Sequence, residues 1–554
     1  MYMKILIIGA VAAGTSAAAK ARRNSEDAQI KIFEMDSDIS YSGCGLPYYI
    51  GNEIEGRDKL VPRNAAFFKS KYNVDILTKH KVLGINTDEK SLKVINLETS
   101  EVFVEKYDKL VIATGARPIL PPIKGIDKAN VFTLRNVESA DNIKSYIQNN
   151  NPKRALVIGS GFIGLEMVEN LENLGIEVSV VEMEDHLMKP LDIDVSVYLK
   201  DALLKKGVKI YLDSTVVELQ GDMRTNTALL KDGAKIDTDL VIVATGIKPN
   251  VELAKEAGIE LGVTGAIKVN EKMETSIKGI YACGDCAESY SLITGKPIYR
   301  PLGSTANKMG RIAGDSLTGY DLNFRGILGT GIFKIFDYTI AQTGLTEREA
   351  LEEGFNVSVC HNIKPDKPEY FHGEEMVIKA VADRHNGRLL GVQIFGKSGV
   401  DKRIDVFATA LTFGAKVQDL FHLDLAYAPP FSTTKDPVMY TGMILTNDIE
   451  RDRNLISASE LSKKINNNEE ITIIDARVAK QYNESHVEGA INVPHERLRD
   501  TLESLDKDKS IVTYCNKGVT GNAAQNILIN SGFKKVYNLS GGYKNYSKTV
   551  KNQS

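Results

Sequence analysis

Residues 154–182, RALVIGSGFIGLEMVENLENLGIEVSVVE, decide the fold. Arg154 to Ile158 is an apolar run that reads as a buried strand, and the turn Gly159-Ser160-Gly161-Phe162-Ile163-Gly164 follows it directly. A Leu-rich helix then runs through Leu174, and a second strand, Glu177 to Val181, closes on Glu182. Strand, glycine turn, helix and strand with a terminal acid is the pattern of a dinucleotide-binding βαβ unit. Gly159 permits a tight turn, Gly161 lets the backbone approach a pyrophosphate, and Gly164 lets helix and strand pack closely. The helix N-terminus at Ile163 and Gly164 offers N–H groups and a partial positive charge to phosphates, and Glu182 is placed to accept hydrogen bonds from a ribose.

The pattern recurs at the start of the chain. Lys4 to Gly9 is the strand, Gly9-Ala10-Val11-Ala12-Ala13-Gly14 the turn, and a helix runs through Arg23; Gln29 to Phe33 closes on Glu34. Val11 stands where the middle glycine belongs. Met1 to Ala21 imitates a signal peptide, but Gly9 and Gly14 stand at nucleotide-loop spacing and the segment runs on into a helix and a strand, so the dinucleotide reading prevails. Two such units in one chain suggest a flavin in one and a nicotinamide in the other. The carboxylate of Glu182 repels a 2′-phosphate and so favours NADH, while His186 and Lys189 a few residues on leave room for NADPH.

Outward from these motifs, 554 residues correspond to about three or four domains. With 43% apolar and 25% charged residues the composition is globular. Lys plus Arg, 69, nearly balances Asp plus Glu, 72, which leaves no basic footprint for nucleic acid. No apolar run reaches the roughly 20 residues that cross a bilayer. Cysteines at 44, 283, 286, 360 and 515 are too few and too scattered for a secreted disulfide framework, so a cytoplasmic, reducing setting is expected.

Three further segments extend the pattern: Ala113-Thr114-Gly115-Ala116-Arg117-Pro118, Ala244-Thr245-Gly246-Ile247-Lys248-Pro249, and Tyr281-Ala282-Cys283-Gly284-Asp285. With them the chain resembles the two-dinucleotide flavoprotein disulfide reductases. The resemblance implies FAD held by Gly9, Ala10, Gly14, Glu34, Thr114, Gly115 and Asp285, and NADH held by Gly159, Gly161, Ile163, Gly164, Glu182 and Gly246. Cys44, in Tyr41-Ser42-Gly43-Cys44-Gly45-Leu46-Pro47-Tyr48, falls in a loop near the flavin. Glutathione-reductase-like members carry a second Cys five residues on, and here that position is Tyr49. A single thiol must therefore work through a mixed disulfide, a persulfide or a sulfenic acid.

The Cys44 segment is similar to that of coenzyme A-disulfide reductases, and the resemblance implies a CoA site made of Ser16, Lys20, Arg23, Ser40, Gly43, Lys71, Asn307 and Lys435. Read alone, the spacing 16, 20, 23 puts three of these on one helix face, which could equally be a solvated basic edge. Tyr370 and Tyr427 match the tyrosines that the family brings to the active Cys, the second from a partner subunit, which implies a homodimer. Cys283 and Cys286 have C-x-x-C spacing, yet their segment already serves the flavin, so no redox or zinc role is assigned and no metal is expected. Cys360, in the apolar strand Asn356 to Cys360, reads as core.

From about residue 455 another resemblance begins. Asp475-Ala476-Arg477, His486 to Pro494 and Gly541-Gly542-Tyr543 look like a rhodanese domain, whose Cys follows a strand end; Cys515 follows Ser510 to Tyr514. Thr520 and Gly521 stand where active thiosulfate transferases commonly place Arg and Ser. Losing the Arg removes a bidentate grip on an anionic donor and predicts poor thiosulfate turnover.

The expected architecture is α/β: two Rossmann-like dinucleotide domains, FAD-binding over 1–115 and 250–325 and NAD-binding over 116–249; an α+β dimerisation domain, 326–446; a linker, 447–454; and a rhodanese-like domain, 455–554. The expected function is an FAD-dependent oxidoreductase in which Cys44 reduces CoA persulfide, polysulfide or CoA disulfide with electrons from NADH, and Cys515 loads or relays sulfane sulfur. Two other readings stand beside it. One is an NADH oxidase or peroxidase working through a Cys44 sulfenate, although the first turn lacks the His that peroxidase members carry. The other is a redox sensor or sulfur carrier.

Overall fold

A computed structural model describes residues 2–551. The chain forms two compact units, Met1–Glu184 with Gly207–Gly329, and Asp185–Lys206 with Thr330–Ser554.

The first unit holds two five-stranded parallel sheets. In one, Lys4–Ile8 is central, with Gln29–Phe33 and Val74–Leu77 on one side and Lys109–Ile112 and Ile280–Ala282 on the other. In the other, Arg154–Ile158 is central, between Glu177–Val181 and Leu240–Val243, with Lys209–Tyr211 and Val131–Phe132 at the edges. The central strands are buried on both faces, as the unbroken apolar runs Ile5-Leu6-Ile7-Ile8 and Ala155-Leu156-Val157-Ile158 require.

The registers are equivalent. Ile8 pairs with Phe33 and Ile112, and Ile158 pairs with Val181 and Val243, so each glycine turn leaves its sheet at the same level as the acid that follows the neighbouring strand. The first helix, Ala12–Asn24, buries Ala13, Ala17, Ala18 and Ala21. Its partner helix Gly303–Ser316 approaches so closely that a Cβ on Gly310 would stand 2.2 Å from the Ala13 carbonyl oxygen. Small residues on both faces make that approach feasible.

The second unit contains an antiparallel sheet in the order Gly331–Ile335, Tyr338–Gly344, Leu389–Gly396, Glu375–Asp383, Val357–Pro365. It also contains a parallel sheet in the order Leu455–Ile456, Val536–Leu539, Ser510–Tyr514, Ile471–Asp475, Ala490–Asn492. The helix Ile193–Lys205, which the sequence assigns to the second dinucleotide domain, belongs to this unit. Its buried Asp194 bonds Lys379 and His361 of the antiparallel sheet.

The charged stretch expected as a linker is helical as far as Glu450. Asp448 is buried there by Ser358 and by Arg384 at 2.6 Å, and it accepts the Leu455 N–H at 2.9 Å. A charge that reads as solvated in the sequence is thus a buried acceptor closing the sheet.

Candidate functional site

Both nucleotide turns share one hydrogen-bond design. Gly9 N–H donates to Phe33 O at 2.8 Å and Gly159 N–H to Val181 O at 2.9 Å. The next residue in each turn donates to the acid: Ala10 N–H to Glu34 Oε2 at 2.7 Å, and Ser160 N–H to Glu182 Oε2 at 2.8 Å. Two residues beyond each acid, Asp36 N–H and Glu184 N–H reach the other oxygen at 3.0 and 3.1 Å. Each acid is therefore fixed beside its turn. Burial raises the Glu34 carboxyl, with the Asp36 and Ala10 N–H groups opposing.

The glycines are demanded sterically in two ways. Gly9 and Gly159 have φ of +103° and +100°, and a Cβ would strike Ala113 O at 2.2 Å and Ala244 O at 2.5 Å. A Cβ at Gly161, in contrast, would meet no protein atom within 4 Å. Packing does not require a glycine there, whereas backbone approach to a pyrophosphate does. Neither helix start has a side-chain cap hydrogen bond or an acid in its first turn, which suits N–H groups that meet phosphates. These features fit two dinucleotides.

The two Ala-Thr-Gly segments interlock. Thr114 Oγ1 donates to Asn250 O at 2.7 Å, Asn250 Nδ2 to Thr114 O at 2.9 Å, and Asn250 N–H to Gly115 O at 2.9 Å. On the other side Thr245 Oγ1 donates to Ile119 O at 2.9 Å, and Ile119 N–H to Gly246 O at 2.9 Å. Asp285 lies 3.5 Å from Arg135; burial raises its carboxyl and Arg135 opposes that rise. Cys283 and Cys286 are fully buried, and Cys286 Sγ lies 3.4 Å from Ile112 O, in keeping with a core role. Cys360 is likewise buried.

Cys44 is exposed, at the short turn Gly43–Gly45 that leads into the helix Leu46–Ile50. Tyr49, where a second thiol would stand, is buried; its hydroxyl donates to Asp141 Oδ1 at 2.9 Å and Lys144 lies 4.0 Å from its ring centre. Tyr48 hydrogen-bonds Glu166, in the first turns of the second dinucleotide helix. Burial raises Glu166 to about 7, Glu169 adding to the rise and Tyr48 opposing it. Desolvation raises the Cys44 thiol, and the charges of Glu166 and Asp285 raise it further. Glu166, Tyr48 and Arg135 were not among the sequence-read candidates. The position two after the third glycine in G-x-G-x-x-G-x-E is the signal that could have found Glu166.

Among the residues implied for CoA, the structure gathers a group on the first helix. Ser16 Oγ donates to Asn307 Oδ1 at 2.7 Å, Lys20 pairs with Asp315 at 2.8 Å and also donates to Asn24, and Arg23 and Lys71 flank the Tyr72 ring at 5.6 Å each. Lys20 is thus already engaged by a carboxylate, while Arg23 and Lys71 are exposed. Ser40, at φ +50°, donates its N–H to Ala10 O at 2.9 Å, which ties the approach to Cys44 to the first nucleotide turn. A side chain at Gly43 would meet nothing within 4 Å. In the second unit Lys435, Tyr370 and Tyr427 are exposed, Tyr370 on the short turn Glu369–Phe371. His186, noted for NADPH, is buried with its ring nitrogens at 2.5 Å from Asp185 Oδ1 and 3.1 Å from Leu191 O.

Cys515 directly follows the central strand Ser510–Tyr514 of the parallel sheet and is buried. Gly518, at φ +96°, turns the chain into the helix Val519–Asn530. Tyr543 N–H and Lys544 N–H donate to Cys515 O and Asn516 O at 2.8 and 3.0 Å, so the Gly541-Gly542-Tyr543 segment frames the loop. Arg477, ion-paired to buried Asp475 at 2.6 Å, reaches Asn516 Oδ1 at 3.3 Å. Among the described residues no group of three His, Cys, Asp or Glu side chains is placed to hold a metal ion, and no helix is long and apolar enough to cross a membrane.

Comparison with known proteins matches three family models. Pyridine nucleotide-disulphide oxidoreductase covers residues 3–300, its dimerisation domain 331–437, and a rhodanese-like domain 457–549. A solved structure of reduced Bacillus anthracis CoADR-RHD is 38% identical, covering 100% of this chain and 99% of that one, with a TM-score of 0.97. A NAD-dependent persulfide reductase from A. fulgidus is 38% identical over 98% of this chain and 100% of that one, with a TM-score of 0.91. The NAD(P)H sulfur oxidoreductase (CoA-dependent) of Pyrococcus furiosus is 37% identical over 444 residues, 80% of this chain and 99% of that protein.

Proposed function

Since the chain belongs to the pyridine nucleotide-disulphide oxidoreductase family and carries a rhodanese-like domain, we propose that it is an NADH-dependent flavoenzyme that reduces CoA persulfide, polysulfide or CoA disulfide at Cys44. The names of its relatives, a CoA-dependent sulfur oxidoreductase and a persulfide reductase, support that substrate class. One observation carries the reading furthest. The flavin-side loop holds a single exposed thiol, and the place of a second is filled by a buried Tyr49 locked to Asp141.

Bound FAD would accept two electrons from NADH and deliver them to sulfur. Cys44 does the sulfur chemistry: its thiolate attacks the outer sulfur of a CoA persulfide, forming a Cys44 persulfide and releasing CoA thiolate. Two electrons and a proton then return Cys44 to thiolate and release sulfide. With CoA disulfide the same attack leaves a Cys44–CoA mixed disulfide and one CoA thiolate, and reduction frees the second.

Arg23 and Lys71 offer the exposed cations for CoA phosphates, and Ser16, hydrogen-bonded to Asn307, lies on the same helix as Arg23. Lys20 contributes less, being paired with Asp315. Tyr370 and Tyr427 supply protons to departing thiolates, Tyr427 from the partner subunit of a homodimer. Glu182 holds the NADH ribose and disfavours NADPH. Cys515 loads or relays the sulfane sulfur. Five free thiols suit a cytoplasmic setting.

The test is anaerobic NADH oxidation with CoA persulfide or CoA disulfide, assaying sulfide, in the unmutated enzyme, Cys44→Ser and Cys515→Ser. The expected result is fast turnover on persulfide with sulfide released, Cys44→Ser losing at least about a thousandfold. Rapid NADH consumption with oxygen alone, and none with either CoA substrate, would overturn the reading in favour of an oxidase.

A further inference from the structure

Asp194, His361 and Ser540 stand in line inside the second unit. His361 Nε2 lies 2.8 Å from Asp194 Oδ2, its Nδ1 lies 3.0 Å from Ser540 Oγ, and its backbone N–H donates to the same Oγ at 2.7 Å. The base of this line is fixed: Lys379, in register with His361 on the neighbouring strand, lies 2.8 Å from Asp194, 3.2 Å from Asp192 and 2.6 Å from Glu347. All three residues are buried and the hydroxyl already serves as an acceptor, so an array that resembles a hydrolytic triad meets no substrate. Its effect lies in what Ser540 is attached to.

Ser540 begins the segment that frames the Cys515 loop. A Cβ on Gly541 would stand 3.0 Å from His361 Cβ, and one on Gly542 would stand 2.4 Å from Cys515 O. Tyr543 N–H and Lys544 N–H then take the Cys515 and Asn516 carbonyls at 2.8 and 3.0 Å. In a planar trans peptide the N–H points opposite to the C=O, so fixing these two carbonyls turns the Asn516 and Lys517 N–H groups to the other side of the loop. Among the described residues neither N–H has a protein acceptor, which leaves two successive donors for an anion on the sulfur.

We propose that His361 and Ser540 are positioning residues for Cys515. The bond between them fixes the 540–543 segment, that segment fixes the loop carbonyls, and the Asn516 and Lys517 N–H groups are thereby kept in place to hold charge on the sulfur. The step served is uptake of sulfane sulfur from an organic persulfide. The Cys515 thiolate attacks the outer sulfur, which keeps its proton; a bond forms between Cys515 Sγ and that sulfur, the donor's S–S bond breaks, and the donor leaves as a thiolate with the electron pair, with no net oxidation. This inference rests on the reading of Cys515 as a sulfur-bearing thiol.

The experiment treats the full-length, FAD-loaded protein, without NADH, with glutathione persulfide over a range of concentrations, and follows the Cys515 persulfide by rapid quench, alkylation and mass spectrometry. The unmutated chain is compared with Ser540→Ala, His361→Asn and His361→Gln. Asn carries its amide near the place of Nδ1 and keeps a bond to Ser540, whereas Gln carries it near Nε2 and keeps only Asp194. At unchanged half-saturation, the expected limiting rate is about tenfold lower in Ser540→Ala, about fivefold lower in His361→Gln, and within about twofold of the unmutated chain in His361→Asn. A merely structural role gives the reverse order for the two His361 variants, since Gln satisfies the buried Asp194 and Asn does not, and this contrast stands even where Ser540→Ala fails to fold. His361→Gln loading at least as fast as His361→Asn, or folded Ser540→Ala loading at the unmutated rate, would overturn the proposal. If the unmutated chain takes up no sulfur at Cys515, the relay reading falls and this inference falls with it.

Discussion

Glu166 shows how one half-buried carboxyl can couple a nucleotide domain to a thiol. It is reached by the Tyr48 hydroxyl from the Cys44 loop and is raised to about 7, first by burial. An acid whose folded pKa lies above its ordinary 4.5 leaves stability fully present below that value and removes it as pH rises through 7. Ionising it in place costs on the order of 3 kcal/mol. Glu166→Gln, which can still bond Tyr48, is therefore expected to raise the unfolding free energy by roughly 2 to 3 kcal/mol at pH 8 and by far less at pH 5. Urea unfolding at the two pH values measures this, and equal gains at both would refute it. The same variant should speed Cys44 alkylation severalfold at pH 8, because the ionised carboxylate opposes the thiolate. Cys44 was legible in the sequence through its loop and the missing second thiol. Glu166 was not, since its importance comes from burial against another domain, which a helix pattern does not report.

At the level of the element, the two glycine turns were the most readable features of the chain, because their residues answer to backbone sterics alone. Gly161 and Gly164 separate the two demands on such a turn. A Cβ on Gly164 would stand 2.2 Å from Gly159 O, whereas one on Gly161 would meet no protein atom. Gly164→Ala should accordingly destabilise the fold by about 2 kcal/mol or more, through displacement of the helix from the strand. Gly161→Ala should leave the melting temperature nearly unchanged and raise the KM for NADH by about tenfold or more, since the methyl enters the pyrophosphate space. Thermal melts and NADH titrations of both variants check the contrast, and the prediction fails if Gly161→Ala melts early. Helix ends were less readable. The stretch 447–454 looks like a polar linker, yet Asp448 is buried by Ser358 and Arg384, partners about 90 and 64 residues away in the chain, so no local signal could extend the helix to Glu450.

Across the whole molecule, domain identities followed from motif order, while the attachment of the C-terminal domain did not. The helix Ile193–Lys205 lies within the sequence span of the second dinucleotide domain, yet its side chains serve the C-terminal unit. Tyr198 Oη donates to Asn545 Oδ1 at 3.0 Å, Asp201 bonds Lys548 and lies 2.9 Å from Lys205, and Asp194 anchors Lys379. Tyr198 and Asn545 are both buried, and burial holds the phenol well above its ordinary range. Their bond lies between segments 347 residues apart, which is why periodicity and motif spacing could not anticipate it. A rhodanese-like domain held this way is a fixed part of its unit. Asn545→Leu strands the Tyr198 hydroxyl without an acceptor and should cost the C-terminal unit about 1 to 3 kcal/mol, with Tyr198→Phe in the same chain recovering part of the loss. Calorimetry and proteolysis at the 451–454 connection read this directly. If Asn545→Leu leaves both unchanged, the domain is tethered by its chain and not by its interface.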